Sequence, residues 1–350
     1  MININDPQFV SIVIPCRNEE RFIRACLDSI IANDYPKDRL EVLVVDGMSE
    51  DRTREIIKRY AAKHPFIMLL DNPRKITPCA LNTGIQHAKG EIIMRMDAHA
   101  TYEKDYISKC VKYLSEYNAD NVGGTMITLS QKDTFIGRSI VKALTSRFGV
   151  GNSEFRTGVS QHKETDTVFG GCYRREIFDK IGYFNENLAS SQDMEFNLRL
   201  KKAGGKILLC PDIISYYYAR SDFRSFCKNN FRNGVWAVYP MKFTKYIPVR
   251  LRHFIPLIFV AGLFGSLVLS FFISIFIFLF LAIVLAYSLT GFYFSSKITI
   301  QEKNIKYFFV LPIIFATLHL SYGLGSVVGL LKVLVSKNFW MMRFKRSHSV

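Results

Sequence analysis

The sequence predicts an α/β domain with a largely parallel sheet, followed by a helical region built to sit in a membrane. Three observations carry that prediction. Short β-branched runs alternate with helical stretches from residue 9 to about residue 212. Residues 254–294 contain no charged side chain. The last hundred residues, otherwise very apolar, hold nine basic residues against one acid and so supply half of the net charge of +16. With 49% hydrophobic and 22% charged residues the chain is not disordered. A nucleic-acid binder would gather its basic residues on a soluble face, so no nucleic-acid partner is expected.

Taken in order, residues 10–15 read as a strand and 19–32 as a helix, then 40–46 as a strand and 51–63 as a helix. A strand over 66–70, a helix over 77–88, a strand over 91–97 and a helix over 103–117 continue the pattern. Alternation at this spacing gives a parallel sheet, and such sheets bind ligands beyond the carboxyl ends of their strands. Asp46 and Asp97 end two of these strands. Either aspartate alone reads equally well as a turn or cap residue; the two together point to a site. The seven cysteines are an odd number with no C-x-x-C pair, which fits a reducing compartment. The first twenty residues carry no basic stretch ahead of their short apolar run, so no secretory signal is expected.

Composition changes after residue 212. Residues 220–252 hold eight basic residues and one acid, interleaved with aromatics such as Phe223, Phe231, Trp236 and Tyr239. This reads as an interfacial segment on the cytoplasmic face. A single helix over 254–294 would run ~60 Å, twice a ~30 Å hydrocarbon core, so two closely connected spans are expected. A third apolar segment, 307–335, contains Pro312, His319 and a G-x-x-x-G at Gly325 and Gly329. As a third span it would carry the basic tail away from residues 1–250, against the positive-inside rule; as a re-entrant segment it would not, and the sequence leaves both open. The expected domains are a cytosolic catalytic domain over 1–219, the interfacial segment 220–252, a membrane region over 253–336 and a basic tail over 337–350.

Four motifs belong together: Pro15-Cys16-Arg17-Asn18-Glu19, Asp46-Gly47-Met48-Ser49-Glu50-Asp51, Asp97-Ala98-His99, and Gln192-Asp193-Met194-Glu195. In this order they resemble the family 2 glycosyltransferases, which have a GT-A fold and invert configuration at the anomeric carbon. Asn82-Thr83-Gly84 and the Gly170-Gly171 pair extend the resemblance, which covers about residues 9–240 and the membrane tail more loosely. It is closest in wording to the bacterial succinoglycan-type exopolysaccharide glucosyltransferases.

The resemblance implies a role for each residue. Pro15, Arg17 and Glu19 form the nucleoside pocket, with Asn82 and Lys75 beside the nucleotide. Asp46 is placed to accept the imide N–H of a uracil ring. Asp97 and His99 are two apart, so on an extended strand end they point the same way and ligate one divalent cation. That cation bridges the two donor phosphates and neutralises the leaving diphosphate as a Lewis acid, so Asp97 counts as donor-binding as well as metal-binding. The imidazole favours Mn²⁺ over Mg²⁺. Asp193 is the expected general base. Gly170, Gly171, Gln192, Arg199 and Arg232 are assigned to acceptor or phosphate, and Arg95 is left open between Asp97 and phosphate. The Q-x-x-R-W motif of processive synthases is absent.

The expected protein is therefore a membrane-anchored inverting glycosyltransferase of the bacterial plasma membrane with a cytoplasmic catalytic domain. It would move a hexose, glucose first among them, from a UDP-sugar to a polyprenyl-diphosphate-linked saccharide in exopolysaccharide or other cell-surface polysaccharide synthesis, with polysaccharide-assembly proteins as possible partners. A polyprenyl-phosphate sugar synthase and a non-catalytic membrane adaptor are the alternatives.

Overall fold

The computed structural model describes residues 7–244, 246–247 and 249–344; Lys345 and Arg346 of the expected basic tail lie outside the described residues. The chain forms two compact units, one from Met1–Ile127 with Glu154–Tyr218, the other from Thr128–Ser153 with Ala219–Val350.

The first unit opens with β1 (Val10–Cys16), α1 (Ile23–Ile31), β2 (Leu40–Asp46), α2 (Thr53–Lys63), β3 (Ile67–Asp71), α3 (Thr77–His87) and β4 (Ile92–Arg95). The short β5 (Ala100–Tyr102), α4 (Tyr106–Glu116) and β6 (Asn121–Ser130) follow. Here the chain departs into α5 (Phe135–Leu144) and α6 (Arg147–Val150) of the second unit. It returns with α7 (Glu154–Thr157), β7 (Lys163–Glu164), β8 (Cys172–Arg174), α8 (Glu176–Ile181), α9 (Gln192–Lys202) and β9 (Ile207–Ala219). The strands make one sheet in the order β3-β2-β1-β4-β8-β6-β9-β5, with β7 also on β9. Its first four strands are parallel, and β8, β5 and β7 pair antiparallel with their neighbours. In the parallel half Cys16 lies opposite Asp46, and Asp46 opposite Asp71, so three strands finish along one edge. Nearly continuous burial of β1 and β2, under α1 on one side and α3 on the other, explains their unbroken Val/Ile/Leu runs.

One strand ends early. The expected strand over 91–97 stops at Arg95, and Asp97 and His99 lie in the turn leading to β5 rather than on extended backbone. The Tyr102 hydroxyl accepts the Asp97 N–H at 2.7 Å, so that peptide bonds to a side chain instead of a strand. Both side chains are half-buried, with a buried Ala98 between them.

The second unit adds α10 (Phe223–Val238), α11 (Ile255–Ser270), α12 (Ile275–Glu302), α13 (Lys306–Leu334) and α14 (Lys337–Phe344). Three stretches, Leu251–Ser270, Ile275–Glu302 and Lys306–Leu334, are long and apolar enough to cross a membrane. The third is one unbroken helix of 29 residues despite Pro312, ~43 Å at helical rise. It is the most buried of the three, and Tyr307, Leu311, Ile314, Leu318, Ser321 and Gly325 form its inward stripe at helical spacing. Its G-x-x-x-G meets α10: a Cβ on Gly325 would lie 2.1 Å from the Phe231 carbonyl oxygen, and one on Gly329 2.6 Å from that of Val235. The basic-aromatic segment thus contains a helix packed on α13, with Gly234 of α10 reciprocally close to Tyr322. Residues 128–153, expected within the catalytic domain, group instead with this unit because Ile140 and Ala143 share a core with Phe226, Leu311, Ile314 and Phe315.

Candidate active site

The turns at the carboxyl edge of the parallel strands are held in unusual backbone. Asn18, Met48 and Lys75 follow β1, β2 and β3, and Ser191 immediately precedes α9; all four are non-glycine residues with φ between 55° and 61°. Such conformations cost about 1–3 kcal/mol each and persist only where neighbours enforce them. Two of the turns enforce each other: the Asn18 N–H donates to the Ser49 hydroxyl at 2.8 Å, and the Glu50 N–H to the Asn18 side chain at 2.9 Å.

At the end of β2, Asp46 is fully buried and fully partnered. Its carboxylate accepts the Ser49 N–H at 2.9 Å, the Ser49 hydroxyl, and Arg54 Nη1 at 2.7 Å. Arg54 reaches Asp71 with its other terminal nitrogen, also at 2.7 Å. Of the other expected nucleoside contacts, Pro15 is half-buried in β1 and Arg17 stands 3.9 Å from Glu50, both partners of that pair being exposed.

Beyond β4 a second arginine bridges two acids. Arg95 Nη2 lies 3.2 Å from Asp97 Oδ1, and Nη1 lies 3.8 Å from Asp193 Oδ2. The guanidinium is buried, and its Nε and Nη1 have no hydrogen-bond acceptor. Burial works to lower the Arg95 pKa, but the Asp97 and Asp193 carboxylates overcome it and raise it. The Gly170-Gly171 pair supports this residue. Gly170 and Gly171 have φ of +70° and +120°, the Arg95 N–H donates to the Gly171 carbonyl at 2.9 Å, and a Cβ on Gly170 would press on the Arg95 carbonyl oxygen at 2.8 Å. Only glycine lets that backbone lie against the end of β4. His99 Nδ1 meets Glu19 Oε1 at 3.2 Å, joining the turn after β1 to the turn after β4.

Asp193 is the second residue of α9 and stays a third exposed, with Oδ1 accepting the Met194 N–H at 2.9 Å. The helix is locked by Phe196 among Tyr173, Phe178 and Phe184, and by Asn197 between Asn121 and Thr167. Gln192 is buried with its Oε1 unpartnered.

Other expected site residues stand in the structure as follows. Arg199 is fully engaged: it pairs with Glu195, which is buried rather than solvated, and donates to the carbonyls of Ile181, Gly182 and Tyr183. That fastens the loop after α8 to α9. Asn82 donates to the Phe184 carbonyl at 2.9 Å and to Glu186 at 3.0 Å, and accepts the Phe184 N–H, so it clamps this loop to α3. Arg232 is exposed on α10, in the second unit. The Arg95 bridge was half visible in the sequence, since it shares the alternation of Asp97; the Tyr102 clamp had no local signal.

Among the described residues no group of three or more His, Cys, Asp or Glu side chains is placed to hold a metal ion. Asp97 pairs with Arg95 and the His99 imidazole is held at Nδ1 by Glu19; a carboxylate and an imidazole are donor types that suit a divalent cation.

The glycosyl transferase family 2 model matches residues 11–182. A dolichyl N-acetyl-alpha-D-glucosaminyl phosphate 3-beta-D-2,3-diacetamido-2,3-dideoxy-beta-D-glucuronosyltransferase of Methanococcus voltae is 32% identical over 233 residues, covering 65% of this chain and 72% of that protein. The chain belongs to glycosyltransferase family 2. It is also 34% identical over 212 residues to the succinoglycan biosynthesis protein ExoA of Rhizobium meliloti, covering 60% of this chain and 63% of that one. The mannosyltransferase PcManGT from Pyrobaculum calidifontis, solved in complex with GDP-Man and Mn²⁺, shares the fold with a TM-score of 0.59 at 20% identity, over 94% of this chain and 88% of that one. The fold is therefore GT-A-like, and this family 2 member is a glycosyltransferase with a C-terminal region of three candidate membrane helices.

Proposed function

We propose that this glycosyltransferase transfers a hexose, glucose from UDP-glucose being the first candidate, to a hydroxyl of a polyprenyl-diphosphate-linked saccharide at the cytoplasmic face of a bacterial plasma membrane. The observation that carries the reading is the Arg95 guanidinium between Asp97 and Asp193, which draws a donor-side carboxylate and a base candidate to one point. Asp193 accepts the proton of the acceptor hydroxyl as that oxygen bonds to the anomeric carbon. The bond from that carbon to the diphosphate oxygen breaks, the diphosphate leaves with the electron pair, and configuration inverts. Asp97 and His99 would hold Mn²⁺, or Mg²⁺, which when bound supplies Lewis-acid stabilisation of the leaving diphosphate. With Nδ1 on Glu19, the nitrogen that would meet the cation is Nε2. Asp46 is the candidate contact for the base ring, and its engagement by Ser49 means a ring N–H would take over from that hydroxyl. The lipid-linked acceptor is supported by the dolichyl-linked substrate in the name of the Methanococcus voltae relative and by the three apolar helices.

A panel of nucleotide sugars with purified enzyme and Mn²⁺, read as nucleoside diphosphate release with and without lipid-linked acceptor, tests the donor and acceptor. In the same assay Asp193→Asn should lower kcat about 10³-fold with donor binding retained. Retained transfer would remove Asp193 as the base and favour a polyprenyl-phosphate acceptor, whose ionised phosphate needs none. Unchanged transfer under exhaustive chelation would remove the metal.

A further inference from the structure

A third arginine of the catalytic unit has no acid at all. Arg156, in the short α7, is half-buried, and its Nη1 has neither solvent contact nor a hydrogen-bond acceptor. Among the described residues no carboxylate forms a salt bridge with it. Its guanidinium instead lies over two rings, 5.6 Å from the centroid of Phe155 and 5.5 Å from that of Tyr217. Burial pushes its pKa down. Cation–π contacts recover only part of the cost of removing a cation from water, and buried charges in folded proteins are ordinarily paired. Arg54 and Arg95 of this unit, by contrast, each have two acids.

The place of Arg156 tells what would pair with it. Tyr217 stands opposite Ala100 in the β5–β9 pairing, so it lies one residue beyond His99 across the sheet. Its ring is edge-on to the His99 imidazole, with centroids 5.2 Å apart, and edge-on to Phe169, which leads into Gly170-Gly171. One tyrosine therefore carries the candidate metal-ligating imidazole and the unpaired guanidinium on the same ring. An anion beside His99 that reaches around Tyr217 would complete both. Arginine presents several N–H groups in a plane and suits phosphate oxygens.

We propose that Arg156 is an anion-binding residue whose ligand is a phosphate oxygen of a substrate diphosphate. This rests on the reading of Asp97 and His99 as the donor-diphosphate site. Two substrates of the proposed reaction carry that chemistry, the nucleotide sugar and the lipid-linked acceptor, and one experiment separates them. The full-length protein in lipid nanodiscs is titrated with UDP plus Mn²⁺ for the donor arm and with farnesyl diphosphate, against farnesol as control, for the acceptor arm. Parent, Arg156→Lys and Arg156→Met are compared, methionine keeping the apolar stem between the rings.

The expected result is a loss of about tenfold or more in affinity for one probe in Arg156→Met, with Arg156→Lys intermediate; the probe affected names the source. Thermal melting supplies a second readout. Removing a half-buried cation whose Nη1 has no acceptor should leave the melting temperature without ligand unchanged or higher, while abolishing most of the increase that the diphosphate gives the parent. The proposal is overturned if Arg156→Met binds both probes within twofold of the parent. It is equally overturned if the variant melts lower or does not fold, because the guanidinium is then a structural cation held by its two rings. If the parent itself binds neither UDP nor farnesyl diphosphate, the reading of the donor site fails first and this proposal with it.

Discussion

Arg54 and Arg95 do the same thing at two ends of one sheet edge, and the difference between them separates scaffold from chemistry. Each sets its guanidinium between two carboxylates. Arg54 holds Asp46 and Asp71 at 2.7 Å each, and both oxygens of Asp46 are answered within the protein. Arg95 holds Asp97 at 3.2 Å and Asp193 at 3.8 Å, and two of its nitrogens donate to nothing. The first network is closed by its own side chains. The second is looser and more deeply buried, which is costly for a cation unless something else arrives to use those donors. A network complete in the absence of substrate contributes to stability even where, as at Asp46, one of its bonds is exchanged for a substrate N–H; one left incomplete contributes chiefly to binding and turnover.

The largest effect should therefore come from Arg95. Arg95→Met should lower kcat by about 10²–10³-fold, because Asp193 loses the cation that orients it, and Arg95→Lys should restore a part. Donor KM should move less than kcat. The mirror experiment is Arg54→Met, which strips a buried carboxylate of its cation. Its expected signature is a stability loss of about 2–3 kcal/mol, reduced from the fully buried case by the partial exposure of Arg54, with kcat within a few-fold of the parent. If Arg54→Met abolished turnover while Arg95→Met lost only stability, the two networks would have to exchange roles.

The sequence made the parallel half of the sheet legible because burial on both faces writes long apolar runs that end in polar residues. The strands over 40–46 and 66–70 came out within a residue of β2 and β3. The error at β4 came from a tertiary contact: nothing in residues 91–97 announces that Tyr102 will capture the Asp97 peptide. Asp46, Asp97, His99, Glu19 and Asp193 are named as candidates by motif, and the structure brings Glu19 to His99 and, through Arg95, Asp97 to Asp193. What a motif cannot state is whether a polar side chain has already found its partners in the fold. Arg199 and Asn82 look available in the sequence and are occupied in the structure. Arg156 belongs to none of the motifs, and its buried, acceptorless Nη1 is visible only in the structure. The second unit escaped for a related reason. Residues 128–153 are too short to declare an allegiance, and only the packing of Ile140, Ala143 and Phe148 on the apolar helices reveals it.

Asn82 gives the smallest and most discriminating test of the comparison. Its side chain makes three hydrogen bonds, to the Phe184 carbonyl, the Phe184 N–H and Glu186, and all three fix the loop ahead of α9. It is buried, so Asn82→Ala would leave the Phe184 peptide without partners and water with little access to replace them. The expected cost is about 1–2 kcal/mol of folding stability, read as a lower denaturant midpoint with an unchanged slope. Donor KM measured below the unfolding transition should stay within twofold of the parent. A residue that contacted the nucleotide would do the reverse, raising donor KM while leaving the midpoint in place, and that outcome would return Asn82 to the donor pocket and place the closed side of the site closer to the substrate than its hydrogen bonds imply.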